Sequence, residues 1–560
     1  MILLFITALL FLFLSTTIGF FVTKLMAGST FINYGIFNSL LIGTVAITVY
    51  LNILSLFLPV NYFLLVPVFL ISVTVTLRSS IAKQSLVSIH QNVEILFSKR
   101  NWMITSSVIA VLILYALVPP YNTDSSGYHF LSILWNEKYK AVPGLANLFP
   151  QYGFNSSFFV LSAAFSFTGI FGQSMYPINM VLIVFFFLWM LKKSFGYNDF
   201  RRILIWCMMV VFLRQFPISL SSPSADALAS IIVLFILFKL AQPRSPVFKT
   251  EEWAFLILLA FFAVTIKLST LPVVLVLLVP LIIYKTDSRS VLFAYFRLIP
   301  YVSLIIIPWL ARNVILSGYL IFPFPAIDIF SFDWKVPLNI TIAENLHISH
   351  APRMVDENWK YVDTLSIPEW LPTYLRNLWR DDHFNYLLVI AGLVAPAAFV
   401  IRKFKTSCYL LPWLISYIAI WFWLITSPDI RFGYHYLLPC IFFPLFLVSE
   451  GITLKAKPLL TASVSIVICM ICLYHDYHAI KRLQPYRVSE YFYTPLKSPE
   501  YYKNNDLSTF KYVMLTNNVK LYIHDSAHHS INAPMPACSP YRPGIKMRGS
   551  KLEDGFKTAP

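Results

Sequence analysis

Charge is what this 560-residue sequence has least of: Asp, Glu, Lys and Arg make up 12% of it, about half the share of an average soluble domain. That scarcity excludes a water-soluble globular chain. There is no clustered basic face either, so the net charge of +17 does not read as nucleic-acid binding. No basic residue precedes Lys24, and a cleaved signal peptide needs a positive segment ahead of its apolar core. The opening MILLFITALLFLFLSTTIGFF is therefore read as a first membrane span. The six cysteines are scattered and only Cys538 lies in the tail, which excludes a disulfide framework there. Cys469 and Cys472 sit inside an apolar run and read as small packed hydrophobes. No G-x-S-x-G, P-loop, HExxH or dinucleotide fingerprint occurs, nor any internal repeat.

What is present is apolar length. Hydrophobic residues make up 58% of the chain, mean hydropathy is +0.69, and runs of about 17–25 residues recur as far as residue 474. This predicts an all-α polytopic membrane protein, since only helices or closed barrels satisfy their backbones in lipid and these runs are too long for barrel strands. Lys and Arg gather in 78–101, 191–202, 243–249, 285–297, 402–405 and 455–457, which are expected to be cytoplasmic. The loops between them are poor in basic residues and are placed outside. About fourteen spans result, near 2–23, 34–58, 62–77, 102–119, 175–191, 203–219, 227–241, 253–267, 270–285, 298–316, 385–401, 408–425, 434–450 and 458–474. The apolar stretch 156–172 would break the charge alternation as a span, so it is expected as a re-entrant or interfacial helix.

Three regions follow: 1–101, the N-terminal spans and a cytoplasmic loop; 102–474, a transmembrane core with outer loops 120–174 and 317–383; and 475–560, an outer tail. Trp334, Trp359, Trp370 and Trp379 suit interfacial helices in the second loop. The last 20 residues are expected to be weakly ordered.

Charged groups near membrane depth are functional candidates by default, and here they share one side. Asp124 follows the fourth span, with Tyr128 and His129 one turn on. Asp226 opens the seventh, Lys267 sits at an outer turn, and Arg312 lies near the outer end of the tenth. Asp429 and Arg431 occupy a short outer loop, with His435 a helical turn beyond. Plainer readings exist for each: an N-cap for Asp226, a local pair for Asp429 and Arg431, snorkelling for Lys267 and Arg312, a solvated turn for Asp124. His475, Asp476 and His478, and the set His524, Asp525, His528 and His529, have ligand-like spacing but lack supporting Cys or Glu and read as solvated faces. NSS (155–157) and NIT (339–341) fit the short glycosylation pattern.

The order of the blocks TDSSGYHFLSILWNEKYKAVPGLANLFPQYGFNSS (123–157), SSPSAD (221–226), IKLSTLP (266–272), WLARNVILSGYLIFPFP (309–325) and SPDIRFGYHYLLP (427–439) resembles the GT-C superfamily of glycosyltransferases, in particular a bacterial group of GT-C-like membrane proteins. The resemblance covers roughly residues 100–450. It implies a GT-C-like helical bundle in the bacterial inner membrane. Its reaction would move a sugar from a polyprenyl-phosphate donor to an envelope glycan, lipid or protein acceptor at the periplasmic face. By the same resemblance Asp124 takes the place of the first-loop acid and Asp226 that of a second acid, while Lys267 would meet the carrier's phosphate. General-base work then falls to Asp124. Arg312 and Arg431 would add charge at the phosphate, and Tyr128, His129, Asp429 and His435 would line the substrates. Two acids suit a divalent metal, Mg or Mn, but nothing in the sequence requires one, and the cofactor stays open. The chain departs from the family pattern at Gln151, where a basic residue is expected, and at Ser530, where a partner for Cys538 is expected. The rival readings are an envelope-polysaccharide flippase, a polymerase or ligase, and a non-catalytic relative.

Overall fold

The structure is a computed structural model. It describes all residues except 1, 28–34, 79–89, 92, 100, 119, 121, 173, 198, 243–249, 285–287, 354–361, 363, 402–405, 451, 453–457, 485–510, 516–518, 524–534, 539–542 and 559–560. The histidine set from His524 to His529, together with Trp359 and Ser530, thus lies outside the described residues.

Helices dominate, as the apolar runs require. In chain order they are α1 (Ile2–Ala27), α2 (Ile36–Leu54), α3 (Leu65–Arg78), α4 (Trp102–Leu117), α5 (Phe130–Lys138), α6 (Ser157–Ala164), α7 (Pro177–Phe195), α8 (Arg201–Gln215) and α9 (Ala225–Leu240). There follow α10 (Thr250–Ile266), α11 (Ser288–Ser317), α12 (Leu338–His350), α13 (Ile367–Asp381), α14 (His383–Leu393), α15 (Leu410–Thr426), α16 (Ile430–Val448) and α17 (Pro458–Leu483). Among the described residues six are long and apolar enough to cross a membrane: α1, α2, α7, α11, α16 and α17. The chain is therefore a helical membrane protein, but the expected fourteen spans are not met.

The physical reason is length. At 16 residues, α4 and α9 reach only about 24 Å, against a hydrocarbon core of about 30 Å. The expected span 270–285 is a 3₁₀ stretch, Leu268–Leu277, carrying Pro272, followed by six α-helical residues. The expected span 385–401 ends as a helix at Leu393 and turns 3₁₀ over Ala395–Val400. Hydropathy cannot tell a helix facing lipid from one surrounded by protein, and α9 is buried along nearly its whole length. In the opposite direction, α11 begins at Ser288, so most of the expected loop 285–297 is helix.

The closest helix pair is α1 with α2, and small residues make it possible. A Cβ built on Gly19 would stand 1.8 Å from the Ser39 carbonyl oxygen, and one on Gly43 would stand 1.7 Å from that of Ser15. Ser15 and Gly19 on α1, and Ser39 and Gly43 on α2, thus form two small-xxx-small faces that let the backbones touch. Gly43→Ile should separate the pair. The expected result is a lower unfolding temperature for the detergent-solubilised protein, with Gly35→Ala, where a Cβ meets nothing, close to wild type.

Every residue of α6 is buried, so this part of the 156–172 stretch packs inside protein as a re-entrant segment would, while Ile170 near its end is 55% exposed. Amphipathic α13 buries Trp370, Tyr374 and Leu378 at helical spacing.

The tail is not loose at its end. Strand β1 (Lys511–Met514) pairs antiparallel with β2 (Lys520–Ile523), β2 pairs parallel with β3 (Ala537–Cys538), and β4 (Ile545–Met547) pairs antiparallel with β5 (Phe556–Thr558). Leu521, Cys538, Ile545, Met547 and Phe556 share a small core with Leu131, Trp135, Val142 and Tyr152 of the first outer loop. The Phe556 amide donates to the Pro143 carbonyl at 2.9 Å. Asn147 accepts from the Thr558 hydroxyl at 2.7 Å. Gly144 (φ 65°) and Gly555 (φ 94°) meet here, each left-handed and each too close to the opposite backbone for a side chain. The tail and the first outer loop therefore lie at one end of the bundle.

A candidate acid–base site at one end of the bundle

Four elements bring charge to a single point. The residue before α9, Ser224, accepts the Asp226 amide on its hydroxyl at 3.3 Å. The short non-helical run before it is held by Asn179 of α7, whose side-chain nitrogen lies 3.1, 2.8 and 2.8 Å from the carbonyls of Ser219, Ser222 and Ser224. Asp226 is thus fixed in the first turn of α9, where the helix terminus favours a carboxylate. Lys267 follows the last residue of α10, and its ammonium bonds Asp226 and sits 3.5 Å above the Phe432 ring. Ser156 steadies that turn by donating to the Ile266 carbonyl at 2.8 Å.

The third element is the turn into α16. Asp429 caps the helix, accepting the Arg431 amide at 3.0 Å. Trp423 donates to the Asp429 carbonyl at 2.7 Å, and the Tyr374 hydroxyl to that of Pro428 at 3.0 Å. Arg431 spreads its fork from this anchor. Nε and Nη2 hold Asp429 at 3.1 and 2.8 Å, and Nη1 reaches Asp124 at 2.7 Å and stands 4.0 Å from Asp226. The fourth element is the start of the first outer loop, where Asn122 accepts the Asp124 amide at 3.0 Å.

Three carboxylates therefore face two cations, and two acids share one guanidinium nitrogen. Asp124 is the more open, its side chain 37% exposed against 14% for Asp226. Among the described residues no group of three or more His, Cys, Asp or Glu side chains is arranged to hold a metal ion. The space between Asp124 and Asp226 is taken by Arg431, so a divalent metal does not fit this arrangement, and no step below passes through one. His475, Asp476 and His478 sit on α17, His475 being 3.5 Å from the Tyr115 hydroxyl.

The family described as a domain of unknown function (DUF8201) matches residues 1–438. The chain belongs to that family. No curated protein matches it, and no solved structure does. The span that makes this a DUF8201 protein takes in every member of the cluster, from Asp124 to Arg431, and leaves out the tail strands.

Four other residues of the DUF8201 chain expected to bind substrate stand differently. Tyr128 borders the cluster, its ring edge-on to Phe154 and Phe159. Burial, with Asp124 and Asp226 nearby, holds its hydroxyl well above the usual range. His435 is 1% exposed and bonded to Ser230 of α9 at 3.1 Å, a tie between helices beneath the cluster. Arg312 is not at the cluster. It is 2% exposed, and its three nitrogens bond Asn155 (3.0 Å), Ser55 (2.8 Å) and Asn136 (2.6 Å). It joins α2, α5 and the loop before α6 from α11, so the charge seen at the end of an apolar run serves packing. Asn179, Tyr374, Trp423 and Phe432 were not singled out from sequence. Asn179 had a signal, an amide inside a 19-residue apolar helix.

His129 is 4% exposed, with Nδ1 3.3 Å from the Ser125 hydroxyl. Burial pushes its pKa down to about 4, against the pull of Asp124 and Asp226. The folded state therefore keeps the ring neutral, while the unfolded chain takes up a proton near 6.5. This contribution to stability is complete above 6.5 and is lost as pH falls from there towards 4. Thermal unfolding in detergent across that window should show a smaller acid-side drop for His129→Gln than for wild type. Equal drops would mean that the ring does not titrate as its burial requires.

Proposed function

We propose that this protein is a membrane glycosyltransferase of the GT-C kind. It takes a sugar from a polyprenyl-phosphate carrier and passes it to an envelope glycan, lipid or protein acceptor at the periplasmic side of a bacterial inner membrane. The observation that carries the reading is the meeting of Asp124 and Asp226 at Arg431, with Lys267 beside Asp226. Base and phosphate-binding groups then stand together at one membrane face.

The chemistry follows from that pairing. An incoming phosphate competes for Arg431 and Lys267, and drawing Arg431 towards it releases the Asp124 carboxylate. The bond between the sugar's anomeric carbon and the phosphate oxygen breaks, its electron pair leaving on the phosphate. The acceptor oxygen or nitrogen bonds that carbon and gives its proton to Asp124. Lys267 and Arg431 stabilise the charge gathering on the departing phosphate. Asp226 and Asp429 hold the two cations in place, and neutral His129 backs the Asp124 turn.

A second reading has an observation of its own. Every cation of the cluster is already paired, which is also how a purely structural network looks, and so a non-catalytic relative stays in view. Deleting the gene and comparing envelope glycans by mass spectrometry tests the proposal. Loss of one defined sugar is the expected result. Loss of whole repeat blocks points instead to a polymerase or ligase, and an unchanged profile overturns the transferase.

A further inference from the structure

The end of the bundle away from the acids carries a second feature, a groove of about 1290 Å³ among α1, α2, α3, α7 and the turn before α4. This exceeds the roughly 300–1,000 Å³ of sites for small ligands. Its walls are apolar, with Phe13, Phe20, Phe37, Leu188 and Trp189 prominent, but three lysines also line it: Lys192, Lys193 and Lys239. Lys192 and Lys193 stand in the last turn of α7 and Lys239 in the last turn of α9. Asp226 lies in the first turn of that same α9, so the lysines sit about 20 Å along the helix from the candidate site. Neither Lys193 nor Lys239 is ion-paired among the described residues. The Lys239 ammonium lies 5.5 Å from the Phe235 ring.

Among the described residues the groove is not sealed by protein. Leu9, on its wall, is 64% exposed, and so are Val93 (47%) and Phe97 (44%). Leu9 belongs to a helix long and apolar enough to cross a membrane, which suits this rim to contact with lipid. An apolar channel open to the bilayer, with three lysines gathered along it, is complementary to a molecule with a hydrocarbon chain and an anionic head. Lysine stems suit such a place, lying along the chain with the ammonium at headgroup level.

We propose that this groove holds an anionic phospholipid of the leaflet opposite the acid–base cluster. Its phosphate rests against Lys192, Lys193 and Lys239, and an acyl chain runs along Phe13, Leu188 and Trp189. The site is separate from the proposed transferase centre and stands whether or not that reading does. The full chain, reconstituted in bilayers containing brominated phosphatidylglycerol or brominated phosphatidylcholine, provides the test, because bromine on the chain quenches nearby tryptophan. The part of the fluorescence lost in Trp189→Phe reports the groove.

Expected is quenching of that part by the anionic lipid at a mole fraction at least about fivefold lower than by the zwitterionic one. The triple change Lys192→Gln, Lys193→Gln, Lys239→Gln should remove the preference. Equal quenching by both lipids in the wild-type protein overturns the proposal, leaving bulk bilayer in the groove and the lysines as topology residues. No quenching of Trp189 by either lipid also overturns it, since protein then covers the groove. Both decisive comparisons use the wild-type fold at the lysines.

Discussion

Asp124→Asn is expected to lower sugar transfer by about 10²–10⁴-fold, the range that a positioned general base supplies. The amide keeps the size of the side chain and can still accept a hydrogen bond from Arg431, which now reaches Asp124 at 2.7 Å. It cannot take the acceptor's proton. The measurement is transfer from a polyprenyl-phosphate sugar by purified protein, beside its yield and monodispersity in detergent. Full transfer by a well-folded Asp124→Asn protein would mean that the carboxylate is only a partner for Arg431. Equal loss of transfer and of fold would remove the distinction, so Asp124→Ser, which gives up the ion pair entirely, serves as comparison. If Asn is far more stable than Ser and both are inactive, the proton role stands.

Arg431→Ala carries the largest expected cost in stability. Its guanidinium holds Asp429 with two nitrogens and Asp124 with a third, and lies 4.0 Å from Asp226. Without it, three carboxylates at the end of the bundle share one lysine. Removing one partner of a buried pair costs about 3–5 kcal/mol. The Arg431 side chain is 29% exposed, so water screens part of this and about 2–3 kcal/mol is expected. Arg431→Lys keeps the charge but loses the fork on Asp429, and should fall between the two. The double change Arg431→Met with Asp124→Asn should recover part of the loss, because it also removes one stranded charge. Thermal unfolding of the detergent-solubilised proteins measures all of these. An Arg431→Ala protein as stable as wild type would show that the network does not form in the membrane.

Much of this site was legible before any coordinates. Asp124, Asp226, Lys267, Asp429 and Arg431 lie at ends of apolar runs, where charge in so apolar a chain stands out. What brings them within bonding distance was not legible. Asn179 grips three carbonyls of a turn 40–45 residues away, a relation that no local pattern reports. Arg312 misled for the same reason. Its partners Ser55, Asn136 and Asn155 are as far as 257 residues from it, so a charge expected at the donor phosphate ties helices together instead.

The number of spans was over-read because hydropathy records how apolar a run is, not what surrounds it. A helix such as α9 is apolar on all sides because neighbouring helices enclose it. The faces of Ser15 with Gly19 and Ser39 with Gly43 were readable as a spacing, yet their meaning depends on the two helices being neighbours. The tail strands, only two to four residues long, leave almost no periodic signal.

The clasp between the tail and the first outer loop sets a clock. Asn147 and Phe556, which meet in it, are 409 residues apart. At a synthesis rate of about 5–20 residues per second, the loop waits roughly 20–80 s for the strand that closes over it. During that interval the Pro143 carbonyl and the Trp135 ring have no cover from the tail. The Asp124 turn is then already made while the far end of its loop is unfinished. A ribosome-bound chain therefore carries all five charged residues of the cluster before it has the means to hold their loop still.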